Sequence, residues 1–250
     1  MNALNITNRY FLHVEYDGAL FHGFQRQQNI RSTVQEKLEN ALFSLTQEIL
    51  TVTCAGRTDT GVHAINQVIH ADLNSDWEND RLRMGLNFYL KDTGISVLNV
   101  YPCTLHVRFD AKERFYEYHI LNRPTFSPLL KHRVWHIPKT LDIELMQEAS
   151  QVFIGKHNFN AFRSSACEAK NPVRNLNTAC VSKDGDIIKL NFSSPAFLHN
   201  QIRIMVGTIV QIGLRKIPLN TISHALQTGR RQDAGITAPP DGLYFLKVLY

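Results

Sequence analysis

The sequence predicts an α+β fold made of two related subdomains, each with the split βαβ order of a ferredoxin-like domain. The second half alternates strand-like and helix-like segments in the order β-α-β-β-α-β, and its Asp184-Gly185 pair is the clearest hairpin signal in the chain. The first half fits a looser version of this order. The 250 residues suffice for two small domains, and no Gly/Ser-rich linker separates them. We therefore expect two closely packed subdomains, residues 1–104 and 105–250.

The first half is predicted to open with a strand at residues 10–16, which ends at an Asp17-Gly18 turn. Thr33 and Glu36 have the spacing of a capping box, so we expect a helix to begin there and to run to about residue 46. The other predicted elements of this half are a strand at 67–73, a helix at 79–90 and a strand at 95–101.

The second half is predicted to begin with an alternating strand at residues 114–121. A helix over residues 141–154 is expected to stop at Gly155. The remaining predicted elements are a short strand within 131–138, hairpin strands at 178–183 and 187–192, helices at 200–214 and 221–228, and a closing strand at 243–249.

The composition is that of a soluble globular protein, with 44% hydrophobic and 20% charged residues. No run approaches the roughly 18 apolar residues that a membrane span needs, and the first residues do not have the pattern of a secretory signal. The four cysteines are scattered, which argues against a disulfide framework or a thiolate zinc site and favours a reducing cytoplasm. The net charge of +5 favours a polyanionic partner such as a nucleic acid.

Residues 54–64 read CAGRTDTGVHA, and three chemistries could use the aspartate in this segment. An aspartic protease needs a second Asp-Thr/Ser-Gly triplet, and the sequence has none. A phosphate-binding loop needs Lys and Ser/Thr after its second glycine, but Val62 and His63 follow Gly61 here. A metal site from Asp59, His63 and His70 stays open, although ordinary hydrogen-bonding histidines are the more common case. The third chemistry is a carboxylate nucleophile, with Arg57 favouring the ionised form of Asp59.

The string from Ala55 to Ala64 closely resembles the signature of the tRNA pseudouridine synthase A (TruA) family, which usually reads G-R-T-D-A-G-V-H-A. Thr60 stands where that family most often has alanine. Other segments resemble the family in the same order, so the similarity runs from about residue 10 to 249. They are EYDG with FHGFQRQ at 15–27, the strand of Tyr116, FNAFR at 159–163, the helix start at 199–207, and Gly242-Leu243-Tyr244.

The resemblance implies a pseudouridine synthase fold, with two ferredoxin-like subdomains flanking a basic active-site cleft. It also implies an isomerase that converts uridine to pseudouridine in the anticodon stem-loop of tRNA, at positions 38–40. Asp59 falls on the catalytic aspartate, while Tyr116, Arg57, Arg203 and Leu243 fall on substrate-binding positions. No metal, nucleotide or other cofactor is expected, because the reaction has no redox or energy input. A cytoplasmic homodimer without membrane attachment is expected.

Four further arginines in loops or at helix starts around the matched motifs are candidate RNA contacts: Arg26, Arg31, Arg163 and Arg174. Tyr118 lies two residues after Tyr116 on the same strand and is interpreted as a core aromatic residue. The residues leave open whether Asp59 attacks the sugar or the uracil ring, and which group transfers the proton, for which Tyr116 is the candidate. A noncatalytic RNA-binding protein on the same scaffold is the alternative function.

Overall fold

The structure, a computed structural model, describes residues 8–28 and 32–250. Arg31, one of the candidate RNA contacts, lies outside these residues. The chain divides into two compact units. The first extends to Lys112 and also includes Phe245–Tyr250, and the second is Glu113–Tyr244. These are units of packing, and the subdomain limits of 1–104 and 105–250 stay a prediction.

The first unit has the split βαβ order, of which the sequence predicts a looser version without β2. Its elements are β1 (Asn8–Tyr16), α1 (Val34–Thr46), β2 (Thr53–Cys54), β3 (His63–Leu73), α2 (Asn79–Leu90) and β4 (Ile95–Pro102). Antiparallel pairing gives the order β4-β1-β3-β2. In the central strand β1, Leu12 lies opposite Ile69 of β3 and Val100 of β4. All three side chains are buried, which places the core of this unit on that face of the sheet.

Helix α1 begins where the capping-box spacing predicts. The Thr33 hydroxyl accepts the N–H of Glu36 at 3.3 Å. The Glu36 carboxylate returns to the N–H of Ser32 at 2.8 Å, one residue before the usual partner in a capping box. Both contacts satisfy backbone donors that the helix itself cannot, so they fix its first turn.

The second unit contains β5 (Glu113–Leu121), β6 (Trp135–His136), α3 (Ile143–Gln151), β7 (Gly155–Asn158), β8 (Val173–Leu176), β9 (Thr178–Asp184), β10 (Ile187–Ser194), α4 (Gln201–Gly213) and α5 (Thr221–Thr228). The final strand, β11 (Leu243–Leu249), begins in this unit and ends in the first. Strands β5, β10 and β9 pair antiparallel in that order. Tyr118 of β5 and Leu190 of β10 lie opposite each other and are fully buried.

The hairpin turn and the first helix of the second unit differ most from the prediction. The hairpin pairs Asp184 with Ile187, so its turn is Gly185-Asp186, one residue later than expected. Gly185 takes the left-handed φ of +56° that such a turn requires. The helix predicted over 141–154 is shorter, because the Asp142 carboxylate caps it by accepting the N–H of Leu145 at 3.0 Å. Short strands β2, β7 and β8 had no sequence signal strong enough to predict them.

Gly207 lies inside α4, where glycine normally weakens a helix. A Cβ at this position would lie 1.9 Å from the carbonyl oxygen of Ile236, so glycine is needed for the segment at 234–238 to pack against the helix. No helix in the part of the chain that the structure describes is long and apolar enough to cross a membrane.

Candidate active site

Residues 55–62, here called the signature loop, connect β2 to β3. The N–H of Ala55 donates to the carbonyl of Val68 at 2.9 Å, and the amide of Gln67 donates to the carbonyl of Gly56 at 2.7 Å. Both partners belong to β3, so the start of the loop is tied to the sheet. The loop therefore takes its position from β3.

A tight turn holds Asp59 in the middle of the signature loop. The N–H of Val62 donates to the carbonyl of Asp59 at 3.1 Å. Gly61, at the third position of this turn, has a φ of +80°, which residues with a side chain rarely adopt. The turn thus fixes the backbone on the C-terminal side of the aspartate.

The segment after β1 packs against the other side of the loop. The hydroxyls of Tyr16 and Thr58 are 2.8 Å apart and buried, and the N–H of Phe24 donates to the carbonyl of Thr58 at 3.0 Å. A Cβ on Gly18 would lie 2.1 Å from the carbonyl oxygen of Val62. A Cβ on Gly23 would lie 3.0 Å from that of Thr58. The glycines of the EYDG and FHGFQ segments are therefore needed for close approach to the signature loop.

The histidines near the loop have structural hydrogen bonds. Nδ1 of the buried His63 accepts the N–H of Gly18 at 3.0 Å, and Nδ1 of His70 accepts the N–H of Val107 at 3.2 Å. Burial lowers the pKa of His70 to about 4, so its ring is neutral at physiological pH. Among residues 8–28 and 32–250, no three His, Cys, Asp or Glu side chains are grouped closely enough to hold a metal ion. The metal alternative for Asp59 has no support in this part of the chain.

Side chains along the loop alternate between interior and surface. Thr58 is buried, Asp59 is half-buried and Arg57 is exposed. Burial raises the pKa of the Cys54 thiol to about 12, against the opposing effect of the Arg57 charge, so this thiol is protonated at neutral pH. Asp59 is therefore the only carboxyl group within the signature loop, and the neighbouring thiol is not an ionised nucleophile.

In the second unit, Tyr116 of β5 lies opposite Phe192 of β10 and is 8% exposed. Its ring meets that of Phe197 edge to face, with centroids 5.2 Å apart. Tyr118 is fully buried and donates its hydroxyl to the carbonyl of Pro239 at 2.8 Å, and burial raises its pKa. The interpretation of Tyr118 as a core aromatic residue is confirmed.

Arg203 and Leu243 also lie in this unit. Arg203, near the start of α4, donates from Nε to the carbonyl of Ala238 at 2.8 Å and from Nη1 to the side-chain oxygen of Asn200 at 2.9 Å. Leu243, the first residue of β11, is 5% exposed. Arg57 and Asp59 therefore share one loop of the first unit, whereas Tyr116, Arg203 and Leu243 belong to the second.

A family model described as tRNA pseudouridine synthase matches residues 12–110 and 149–250. The chain belongs to the tRNA pseudouridine synthase family. It is similar to tRNA pseudouridine synthase A of Wolbachia pipientis wMel, with 42% identity over 97% of this chain and 100% of the relative. The corresponding proteins of Ehrlichia canis and Rhodospirillum centenum are 42% and 43% identical over 97% of the chain and 100% and 99% of the relatives. The resemblance seen in the sequence motifs and the α+β fold it implied are confirmed.

Membership of the tRNA pseudouridine synthase family makes this protein an enzyme, an isomerase that forms pseudouridine.

Three arginines predicted as RNA contacts of this synthase have protein partners. Nη2 of Arg26 lies 2.6 Å from the carboxylate of the buried Glu39. Arg163 donates to the carbonyl of Ala169 at 2.8 Å, and Arg174 donates to the carbonyl of Val173 at 2.7 Å. Burial lowers the pKa of Arg174. Sequence reasoning missed these structural roles, since the partners are carbonyl groups or a carboxylate 13 residues away.

Sequence reasoning also missed the residues that support the signature loop in this synthase. Tyr16 was noted only as part of the EYDG segment, and Thr58 only as a neighbour of the aspartate. The glycines of the EYDG and FHGFQRQ segments were the available signal, because Gly18 and Gly23 mark places where two backbone segments approach closely. The sequence alone did not show that the signature loop is the segment that each glycine approaches.

Proposed function

We propose that this protein isomerises uridine to pseudouridine in the anticodon stem-loop of tRNA, at positions 38–40, with Asp59 as the catalytic carboxylate. The observation that supports this role most is the position of Asp59. It is half-buried in a loop whose backbone is held on both sides by hydrogen bonds and close glycine contacts. Such a carboxylate is preorganised for attack and needs little rearrangement to react.

The reaction exchanges one bond to the sugar for another. The bond between uracil N1 and ribose C1′ breaks, the base turns, and C5 bonds to C1′. C5 loses a proton and N1 gains one, so the product is an isomer of the substrate. Asp59 either forms a covalent adduct or stabilises positive charge at C1′. Both routes need the ionised carboxylate.

The remaining predicted residues are proposed to bind the substrate. The target base must leave its stack, which costs a few kcal/mol. Stacking on an aromatic ring such as that of Tyr116 returns about 1–3 kcal/mol. Arg57 is proposed to contact phosphate and to occupy the space that the base leaves. Arg203 and Leu243 are proposed as substrate-binding residues, and Arg26, Arg31, Arg163 and Arg174 as further RNA contacts. We also propose a homodimer in the cytoplasm.

The decisive experiment maps pseudouridine at base resolution in unmodified tRNA transcripts incubated with the protein. The wild type is expected to modify one or more uridines at positions 38–40, and Asp59→Asn is expected to modify none while it still binds tRNA. Asp184→Asn, in the exposed hairpin, is the matched control and should retain full activity. Pseudouridine only outside the anticodon stem-loop would refute the proposed target. Tight tRNA binding without any product from the wild type would favour the noncatalytic RNA-binding alternative.

A further inference from the structure

The loop between β5 and β6, residues 122–134, exposes two large apolar side chains and is here called the Phe126 loop. Phe126 is 66% exposed and Leu129 is 86% exposed. Phe126 lies between Thr125 and Ser127, so its exposed ring belongs to a polar stretch of the loop. The Phe126 loop also lies between the two stretches that the family model matches, since these end at residue 110 and resume at 149.

The loop is held firmly at its start. The amide of Asn122 donates to the carbonyls of Ile137 and Lys139 at 3.0 and 2.7 Å. Nε2 of His136 lies 2.8 Å from the carbonyl of Arg123 and donates to it. Arg123 in turn donates from Nε to the carbonyl of Thr125 at 2.9 Å. These contacts connect the residues before Phe126 to β6 and to residues 137–139, which follow the loop.

The rest of the loop is restrained as well. The hydroxyl of Tyr244 donates to the carbonyl of Arg133 at 2.7 Å. Pro124 and Pro128 lie two residues to either side of Phe126 and restrict the backbone φ. The exposed aromatic ring is therefore presented by a preorganised backbone, which lowers the entropy cost of binding.

The surroundings of the loop are positively charged. Between Glu117 and Asp142 the sequence has no acidic residue, and it has four basic ones: Arg123, Lys131, Arg133 and Lys139. Two carboxylates from elsewhere face the loop. Asp186 lies 3.3 Å from Arg123, and Asp241 lies 3.0 Å from Nδ1 of His132. Lys131 and Arg133 are exposed, so the same loop presents two cations and an exposed aromatic ring.

We propose that the Phe126 loop is a second tRNA-binding surface of this enzyme, in which Phe126 stacks on an unpaired base and Lys131 and Arg133 contact phosphates. Five residues of β5 separate Tyr116 from the end of the strand at Leu121, about 16 Å at the usual rise. The loop therefore binds a part of the tRNA other than the reacting uridine. One aromatic ring with a cationic rim fits RNA, since a stable protein interface needs a larger apolar area. This inference rests on the proposed tRNA substrate.

The test measures the affinity of labelled, unmodified tRNA by fluorescence anisotropy, which needs no turnover. Phe126→Ala is expected to raise Kd and KM roughly ten-fold with kcat unchanged, as expected for the loss of one stacked base. Phe126→Tyr keeps the ring and should bind like the wild type. Phe88→Ala, which removes a ring that is 75% exposed on α2, is the matched control and should have no effect. Lys131→Ser with Arg133→Ser should make the slope of log affinity against log salt shallower by about 1.4–1.8.

Two results would overturn the inference. One is an unchanged tRNA affinity in Phe126→Ala and in the double charge variant, measured on folded proteins of wild-type Tm. The other is an altered oligomeric state in Phe126→Ala without any change in tRNA affinity, which would make the loop a protein interface. A wild type that binds tRNA through this loop and forms no pseudouridine would instead contradict the proposed function alone.

Discussion

The hydroxyl of Tyr16 lies 2.8 Å from Oγ1 of Thr58, the residue immediately before Asp59, and both groups are buried. Thr58 also accepts the N–H of Phe24 through its carbonyl. This residue is therefore fixed through both its side chain and its backbone. The buried hydroxyl pair therefore restrains the backbone immediately before Asp59.

Tyr16→Phe should leave the Thr58 hydroxyl without this partner and destabilise the fold by about 1–3 kcal/mol. The signature loop should become less well ordered, so kcat should fall while the KM for tRNA changes little. The measurements are urea unfolding and steady-state kinetics. Tyr101→Phe removes another hydroxyl of the same sheet, one that lies 3.1 Å from His13, and should retain normal kcat. Equal losses of kcat in the two variants would contradict a specific positioning role for Tyr16.

Arg26 is the predicted RNA contact for which the structure gives the clearest second role. It lies 2.6 Å from Glu39, which is 7% exposed and also accepts the amide of Gln35 and the N–H of Val52. Arg26→Gln should leave this carboxylate poorly compensated and lower the free energy of unfolding by about 1–2 kcal/mol, less than for a fully buried pair because Arg26 is half exposed. Denaturant unfolding measures this loss.

A double variant separates the structural role of Arg26 from RNA binding. Arg26→Gln with Glu39→Gln removes the buried charge as well, so it should recover part of the lost stability. If Arg26 also contacts phosphate, the double variant should still bind tRNA less tightly than Glu39→Gln alone. Wild-type stability in the single variant Arg26→Gln would show that the ion pair contributes nothing.

His70 should make the stability of the first unit dependent on pH. Its pKa is lowered from 6.5 to about 4, chiefly by burial and then by the charge of Arg9, while Asp72 opposes the shift. The His106 ring packs edge-on against the His70 ring, with centroids 4.8 Å apart, and further lowers the pKa of His70. Because the folded state favours the neutral ring, its contribution is fully present above pH 6.5 and is lost as the pH falls towards 4. The loss should be about 1–3 kcal/mol.

The measurement compares urea unfolding of the wild type and His70→Gln between pH 7.5 and 4. The variant has no imidazole to protonate at this position, so its stability should fall less steeply over this range. His22→Gln, at an exposed histidine, should follow the wild-type curve. Parallel curves for wild type and His70→Gln would refute the assignment.

The elements that sequence predicted best are those whose signals are local. Helix α2 and strand β11 begin and end at the predicted residues, because helical spacing and strand alternation are read within one segment. The two-residue strand β2 and the shortened α3 depend on distant partners and on the Asp142 cap, so periodicity alone could not locate them. The mistaken hairpin turn arose because Asp184-Gly185 and Gly185-Asp186 both satisfy the turn composition, and only the register chooses between them.

The candidate site also contains some features that the sequence predicts and others that it does not. The position of Asp59 follows from a motif of adjacent residues, and such a motif can be recognised in a single sequence. The Tyr16–Thr58 contact joins residues 42 positions apart, and the Arg26–Glu39 pair depends on how a loop returns to α1. Such contacts depend on how distant segments pack together, so the spacing of neighbouring residues in the sequence does not predict them. The roles of Tyr116, Arg203 and Leu243 rest on the family resemblance and stay predictions.

The last prediction concerns the two possible roles of Tyr116, stacking on the target base and transferring a proton. Tyr116 is 8% exposed and its ring packs edge-on against Phe197. Tyr116→Phe keeps the ring and loses only the hydroxyl, so tRNA affinity should hold while the single-turnover rate falls by roughly 10²–10⁴-fold if the hydroxyl is a general acid–base group.

Tyr116→Leu should lose the stacking as well, which would weaken tRNA binding by about 1–3 kcal/mol in addition to the loss of rate. Tyr118→Phe is the matched control. It removes a hydroxyl on the same strand whose partner is the carbonyl of Pro239, so it should lower stability and leave the chemistry unchanged. A near-wild-type single-turnover rate for Tyr116→Phe would restrict this tyrosine to stacking, because a proton cannot be transferred by a ring that has no hydroxyl. The proton would then have to reach the uracil through another group of the enzyme or through water.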